Sequence, residues 1–122
     1  MRFSDIPGHL RVKDRLRGMA DSGRIPHAIL IEGPAGTGKF VLARAFAQYI
    51  HCENRTSDGE PCGCCPSCLQ HESFNHPDTV FSFPILKSAS TAGVCDDLSK
   101  EWKKFLDESP FMEFDRWLQM LG

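Results

Sequence analysis

Between residues 9 and 22 apolar side chains return every three or four positions, at Val12, Leu16, Met19 and Ala20, which predicts an amphipathic helix. Arg11, Lys13, Arg15 and Arg17 stand on both sides of that stripe and are expected in water. Ser22-Gly23 closes the helix, because glycine takes the left-handed turn of a helix exit without steric cost. The rhythm then changes to a continuous apolar run, Ala28-Ile29-Leu30-Ile31, between Pro26 and Gly33, which predicts a strand covered on both faces. Helical spacing resumes at Leu42, Ala45, Phe46 and Tyr49 and predicts a helix over 38–50.

Residues 51–68 are polar, carry glycine and proline and hold most of the cysteines, so they predict a loop with little core of its own. A short helix over 66–73 leaves it. Thr79-Val80-Phe81-Ser82-Phe83 predicts a second strand, introduced by the turn residues Asn75, Pro77 and Asp78. Residues 87–95 predict a surface loop. Leu98, Trp102 and Phe105 mark a further helix, Phe114, Trp117, Leu118 and Leu121 another, with Pro110 between them. Such stripes predict buried helix faces, not ligand-binding surfaces.

A length of 122 residues suits one domain, and 41% apolar with 25% charged residues excludes a disordered or fibrous chain. No run nears the roughly 18 apolar residues of a membrane span. Met1-Arg2-Phe3-Ser4-Asp5 does not resemble a secretory leader, so a cytoplasmic protein without a membrane partner is expected. The net charge of −2 hides a division: residues 1–50 carry net +4 and residues 51–122 net −6. An acidic second part excludes a broad surface tracking nucleic-acid phosphates.

Gly33-Pro34-Ala35-Gly36-Thr37-Gly38-Lys39 fits G-x-x-x-x-G-K between a predicted strand and a predicted helix. Glycines let successive backbone N–H groups curl around a phosphate, and the helix N-terminus adds the positive end of its dipole. Lys39 would set its charge on the outer phosphates. Gly33, Pro34, Ala35, Gly36, Thr37, Gly38, Lys39 and Phe40 are therefore the candidate nucleotide site. Phe40 departs from the pattern, because that position should supply the hydroxyl that ligates Mg²⁺. Thr37 stands on the wrong side of Lys39 to replace it. Weak ATP or ADP binding without useful hydrolysis is expected.

Cys52, Cys62, Cys65 and Cys68 read C-x9-C-x2-C-x2-C. In a reducing compartment this spacing points to metal and not to disulfides. Four thiolates suit tetrahedral Zn²⁺ in a closed structural site, which would order a loop that lacks a core. Cys64 is expected to stand aside, with a swap of register left open, and Cys95 to be a small buried hydrophobe. His51 and His71 flank the cluster and, with four ligands already in place, are expected in solvent. His76-Pro77-Asp78, a kind of string that can be functional, reads here as a turn into the second strand.

Taken in order, these segments resemble the AAA+ subunits of the bacterial DNA polymerase III clamp loader. Phe3-Ser4-Asp5-Ile6-Pro7-Gly8-His9 and Gly23-Arg24-Ile25-Pro26-His27-Ala28 are similar to the family's opening segments, and the phosphate loop and the four-cysteine insertion follow as they do there. The likeness covers residues 3–83 well and weakens from 84 to 122, where Phe83-Pro84-Ile85-Leu86-Lys87 and the Trp-bearing helices look like a delta-prime branch. It implies an α/β fold: residues 1–122 as the N-terminal part of a P-loop AAA+ domain, with a zinc insertion over 52–68 and additional C-terminal helices. Walker B, sensor, Ser-Arg-Cys finger, lid and collar elements are not found, so an N-terminal fragment is expected.

Because gamma-type motor subunits keep the hydroxyl, Phe40 implies delta-prime over gamma/tau, a structural stator with no catalytic residue of its own. Ile6 to Gly8 are implied near an adenine. The implied partners are the gamma/tau and delta subunits and, through the assembled complex, the sliding clamp and primed DNA. Two alternatives remain: a hydrolysing ATPase of gamma/tau type or of another P-loop family, and a zinc-binding interaction module with an incidental glycine loop. Two strands lacking the neighbours that would lie between them also predict a fragment that is marginally stable, rearranges or self-associates.

Overall fold

The structure is a computed structural model that describes residues 1–85, 98–108, 111 and 114–121. It divides into two units, Met1–His76 and Pro77–Gly122. The first opens with a single 3-10 turn, Phe3–Asp5, followed by helix α1, Leu10–Asp21. Gly23, at φ +69°, ends α1 as its sequence predicts. The Gly23 N–H reaches Ala20 O at 3.2 Å and the Arg24 N–H reaches Met19 O at 3.1 Å, the paired bonds of a Schellman closure.

The buried face of α1 differs from the predicted stripe. Lys13, Leu16 and Ala20 are buried, whereas Val12 is 39% exposed. Lys13 can leave water because its ammonium donates to Ile6 O, which replaces part of the lost hydration. The expectation of a solvated Lys13 is corrected.

Helix α2, Lys39–His51, buries Val41, Leu42, Ala45, Phe46, Gln48 and Tyr49 and packs on α1, on the 3-10 turn and on α3, Pro66–Glu72. Phe3, Ile6, Leu16 and Ala20 complete the core, with the Phe3 ring meeting Tyr49 edge-on at 5.6 Å. Burial of that apolar surface, at about 25 cal/mol per Å², is what holds these short helices together.

No strand forms among the described residues, so the α/β expectation fails there. Ala28, Ile29 and Leu30 are exposed, Leu30 by 84%, and so is Val80, by 88%. A continuous apolar run shows that a segment needs cover, but a strand also needs a neighbour to exchange backbone hydrogen bonds with. Among the described residues none is supplied.

In the second unit, α4, Ser99–Glu108, and α5, Phe114–Leu121, gather an aromatic cluster. Phe83 stacks on Trp102 at 4.3 Å, and Trp117 meets Trp102 edge-on at 5.0 Å. The Trp117 indole N–H donates to Pro84 O at 2.8 Å, so its polar end is satisfied inside the cluster. Phe105 and Leu106 are buried beside α4's Trp102, while α5 buries only Trp117; Phe114 and Leu118, read as part of its buried stripe, are 48% and 38% exposed. The predicted loop 87–95 with Cys95, and Pro110, lie outside the described residues. No helix among the described residues is long and apolar enough to cross a membrane.

Candidate functional site

Cys52 ends α2, and Cys65 caps α3, whose first turn carries Pro66 and Cys68. Cys62 lies between them, followed by Gly63 at φ +78°, a left-handed turn that doubles the chain back. The sulfurs of Cys52, Cys62, Cys65 and Cys68 all lie within 4.8 Å of one another, and Cys62 Sγ is 3.9 Å from Cys68 Sγ. A tetrahedral ion with metal–sulfur bonds near 2.3 Å needs about 3.8 Å between sulfurs. The cage therefore fits a metal ion.

Backbone amides orient the sulfurs. The N–H groups of Asn54 and Cys62 point at Cys52 Sγ at 3.4 and 3.3 Å, that of Cys65 at Cys62 Sγ at 3.3 Å, and that of Cys68 at Cys65 Sγ at 3.4 Å. Hydrogen bonds from Cys64 and Cys65 draw the Cys62 thiol down to about 6. Burial pushes Cys68 up to about 12, so an ion seated there must displace its proton. Cys64 is exposed and outside the group of four.

Side chains moor this loop to the helices. Glu60 accepts the Phe3 N–H at 2.8 Å and pairs with Arg17 at 3.1 Å. Arg17 also donates to Gly59 O at 2.7 Å, and Arg2 to Cys62 O at 2.8 Å. Arg55 donates to Tyr49 O at 2.9 Å and Ile50 O at 3.2 Å, carbonyls at the end of α2 that have no helical partner.

The phosphate-loop candidates lie at the start of α2. Gly33, Pro34, Ala35 and Gly36 are exposed, and Thr37, Gly38, Lys39 and Phe40 are half-buried. Gly36 and Gly38 take φ +79° and +84°, left-handed values that glycine adopts without steric cost. Thr37 Oγ1 donates to Pro34 O at 2.8 Å, so this hydroxyl is engaged within the loop. Lys39 Nζ reaches back to Gly33 O at 2.6 Å and Pro34 O at 3.3 Å. His9 Nε2 meets Thr37 O at 2.7 Å, a contact that tied no motif together in the sequence.

The solvent exposure expected of His51 and His71 is not found. His51, His71 and His76 come together, with ring centroids 4.2–5.0 Å apart and planes within 21°. His71 and His76 are buried at 8% exposure and His51 is half-buried, which corrects the solvated reading of His51 and His71; the turn expected at His76-Pro77-Asp78 forms at Pro77 and Asp78, without the strand it was to open. Burial first, then His76 and His51, lower His71 to about 4. A signal existed for one of them: His71 follows Cys68 by three residues on α3, so folding that cysteine inward carries the imidazole along on the same face.

The family model described as DNA polymerase III, delta subunit matches residues 8–113. The DNA polymerase III subunit gamma/tau of Mycobacterium tuberculosis is 36% identical over 94 residues, 77% of this chain and 16% of that protein. The DNA polymerase III subunit delta' of Bacillus subtilis is 34% identical over 93 residues, 74% of this chain and 28% of that protein. Protein STICHEL-like 1 of Arabidopsis thaliana is 35% identical over 71 residues, 58% of this chain and 6% of that protein. The chain thus spans less than a third of the length of each of these relatives. No solved structure matches.

Proposed function

The chain belongs to the DNA polymerase III, delta subunit family, and from that membership we propose that it is a clamp-loader subunit acting structurally in DNA replication, with a phosphate loop too altered to drive hydrolysis. Membership implies an AAA+-like fold. The observation that carries the stator reading is Phe40, which follows Lys39 in the first turn of α2. Its ring offers no oxygen to Mg²⁺, whose charge neutralisation phosphoryl transfer depends on. The loop N–H groups of residues 35–39 and the Lys39 ammonium would hold the phosphates of ATP or ADP, a binding role that survives loss of the hydroxyl.

The ion assigned to Cys52, Cys62, Cys65 and Cys68 is Zn²⁺, because tetrahedral thiolate sets select it and a fully ligated set has no position left for chemistry. It would hold the 52–68 loop against α1 and α2. The partners inferred are the gamma/tau and delta subunits, with the sliding clamp and primed DNA reached through the assembled complex.

A second reading, a hydrolysing subunit of gamma/tau type, is favoured by the relative of that name, which matches at 36% identity against 34% for the delta' relative. Steady-state ATP turnover separates the two. The protein alone and with clamp-loader partners should add no turnover of its own, and Lys39→Ala should leave the rate of the mixture unchanged. Brisk turnover that Lys39→Ala abolishes would establish the second reading.

A further inference from the structure

We propose that His51, His71 and His76 form a second metal site, which takes a divalent ion such as Zn²⁺ on three imidazole nitrogens and leaves a fourth position to water. This site is independent of the replication reading. The three residues come from different places: the last position of α2, the body of α3, and the segment that follows α3. One candidate ligand nitrogen from each lies within 4.8 Å of the others, and His51 Nδ1 is 2.8 Å from His71 Nε2.

Zinc–nitrogen bonds of about 2.0–2.1 Å require roughly 3.3 Å between tetrahedrally disposed nitrogens. That figure falls between the shortest separation observed and the 4.8 Å limit, so shifts of about an ångström suffice. The planes are now within 21° of parallel, and the rings must turn so that their lone pairs converge. The torsion that turns an imidazole is broad and soft.

The site is separate from the cysteine cage. Four sulfurs close that cage without a nitrogen, whereas three imidazoles leave a coordination position open. Two cations, Arg44 and the N-terminal ammonium, act on His71 and oppose an added positive charge. The second ion should therefore bind more weakly than the first and leave first on chelation.

Cadmium-113 resonance of the intact reduced chain tests this directly. Saturation should give two signals, one shifted as a four-sulfur site and one as a nitrogen–oxygen site; a single sulfur-type signal at saturation overturns the proposal. In a cobalt titration, the first equivalent should bring thiolate charge-transfer absorption and the second only weak ligand-field bands. His76→Gln should abolish the second equivalent and keep the charge-transfer band, which also reports that the variant is folded. Retention of two equivalents by that variant overturns the assignment, and if the band is lost the cadmium spectrum of the parent decides.

Discussion

Tyr49 joins the two main helices through a single proton. Its hydroxyl donates to Asp21 Oδ1 at 2.6 Å, and the Arg55 guanidinium lies 4.7 Å above its ring. Tyr49→Phe keeps the ring and removes the bond, and urea unfolding should show a loss of about 1–2 kcal/mol. Burial, followed by the bond to Asp21, raises Tyr49 to about 12, so the folded state favours the neutral phenol. Its contribution is complete below the unfolded value of about 10 and is lost as pH rises through 12. Stability measured against pH should fall along that limb in the parent and fall less in Tyr49→Phe. Gly63 is constrained differently. At φ +78°, with an added Cβ only 3.1 Å from Arg2 Nη2, Gly63→Ala should cost about 1–2 kcal/mol and speed metal loss to a chelator.

Helix α3 has seven residues, too few to persist in water alone, and it begins at a cysteine whose sulfur also caps it. Removing the metal under reducing conditions should therefore release α3 and the loop together. Hydrogen exchange should rise across 53–72 while the amides of Val41 to Tyr49 stay protected; unchanged protection of 66–72 would show that the ion orders nothing. Glu60 is the second anchor of that loop, through Phe3 and Arg17. Glu60→Ala leaves a buried N–H and a half-buried guanidinium without this acceptor, and a loss of about 2–3 kcal/mol is expected in denaturant. Helix limits were legible because the apolar period, Gly23 at the exit of α1 and Pro66 at the first turn of α3 act within a few residues of themselves. The burial of Lys13 was not, since its partner Ile6 O is supplied by a turn outside the helix.

The described residues include exposed apolar side chains that the sequence marks for cover, Val12 at 39%, Leu30 at 84% and Val80 at 88%. Surfaces of this kind bind one another when nothing else covers them. Sedimentation should reveal concentration-dependent association of residues 1–122, and Leu30→Lys should shift it towards monomer. A monomer at every concentration that melts cooperatively at high temperature would contradict this.

Local chemistry wrote much of the protein into its residue order: helical repeats, a glycine helix exit, four cysteines at ligand spacing and a glycine-rich loop ending in Lys39-Phe40. Each depends on neighbours a few positions away, which a linear string retains. Folding alone decided that residues 28–31 stay unpaired among the described residues, that Lys13 goes inside and that His51, His71 and His76 meet. Those outcomes depend on what stands opposite in space, and chain order carries no record of it until α2, α3 and the cysteine loop pack.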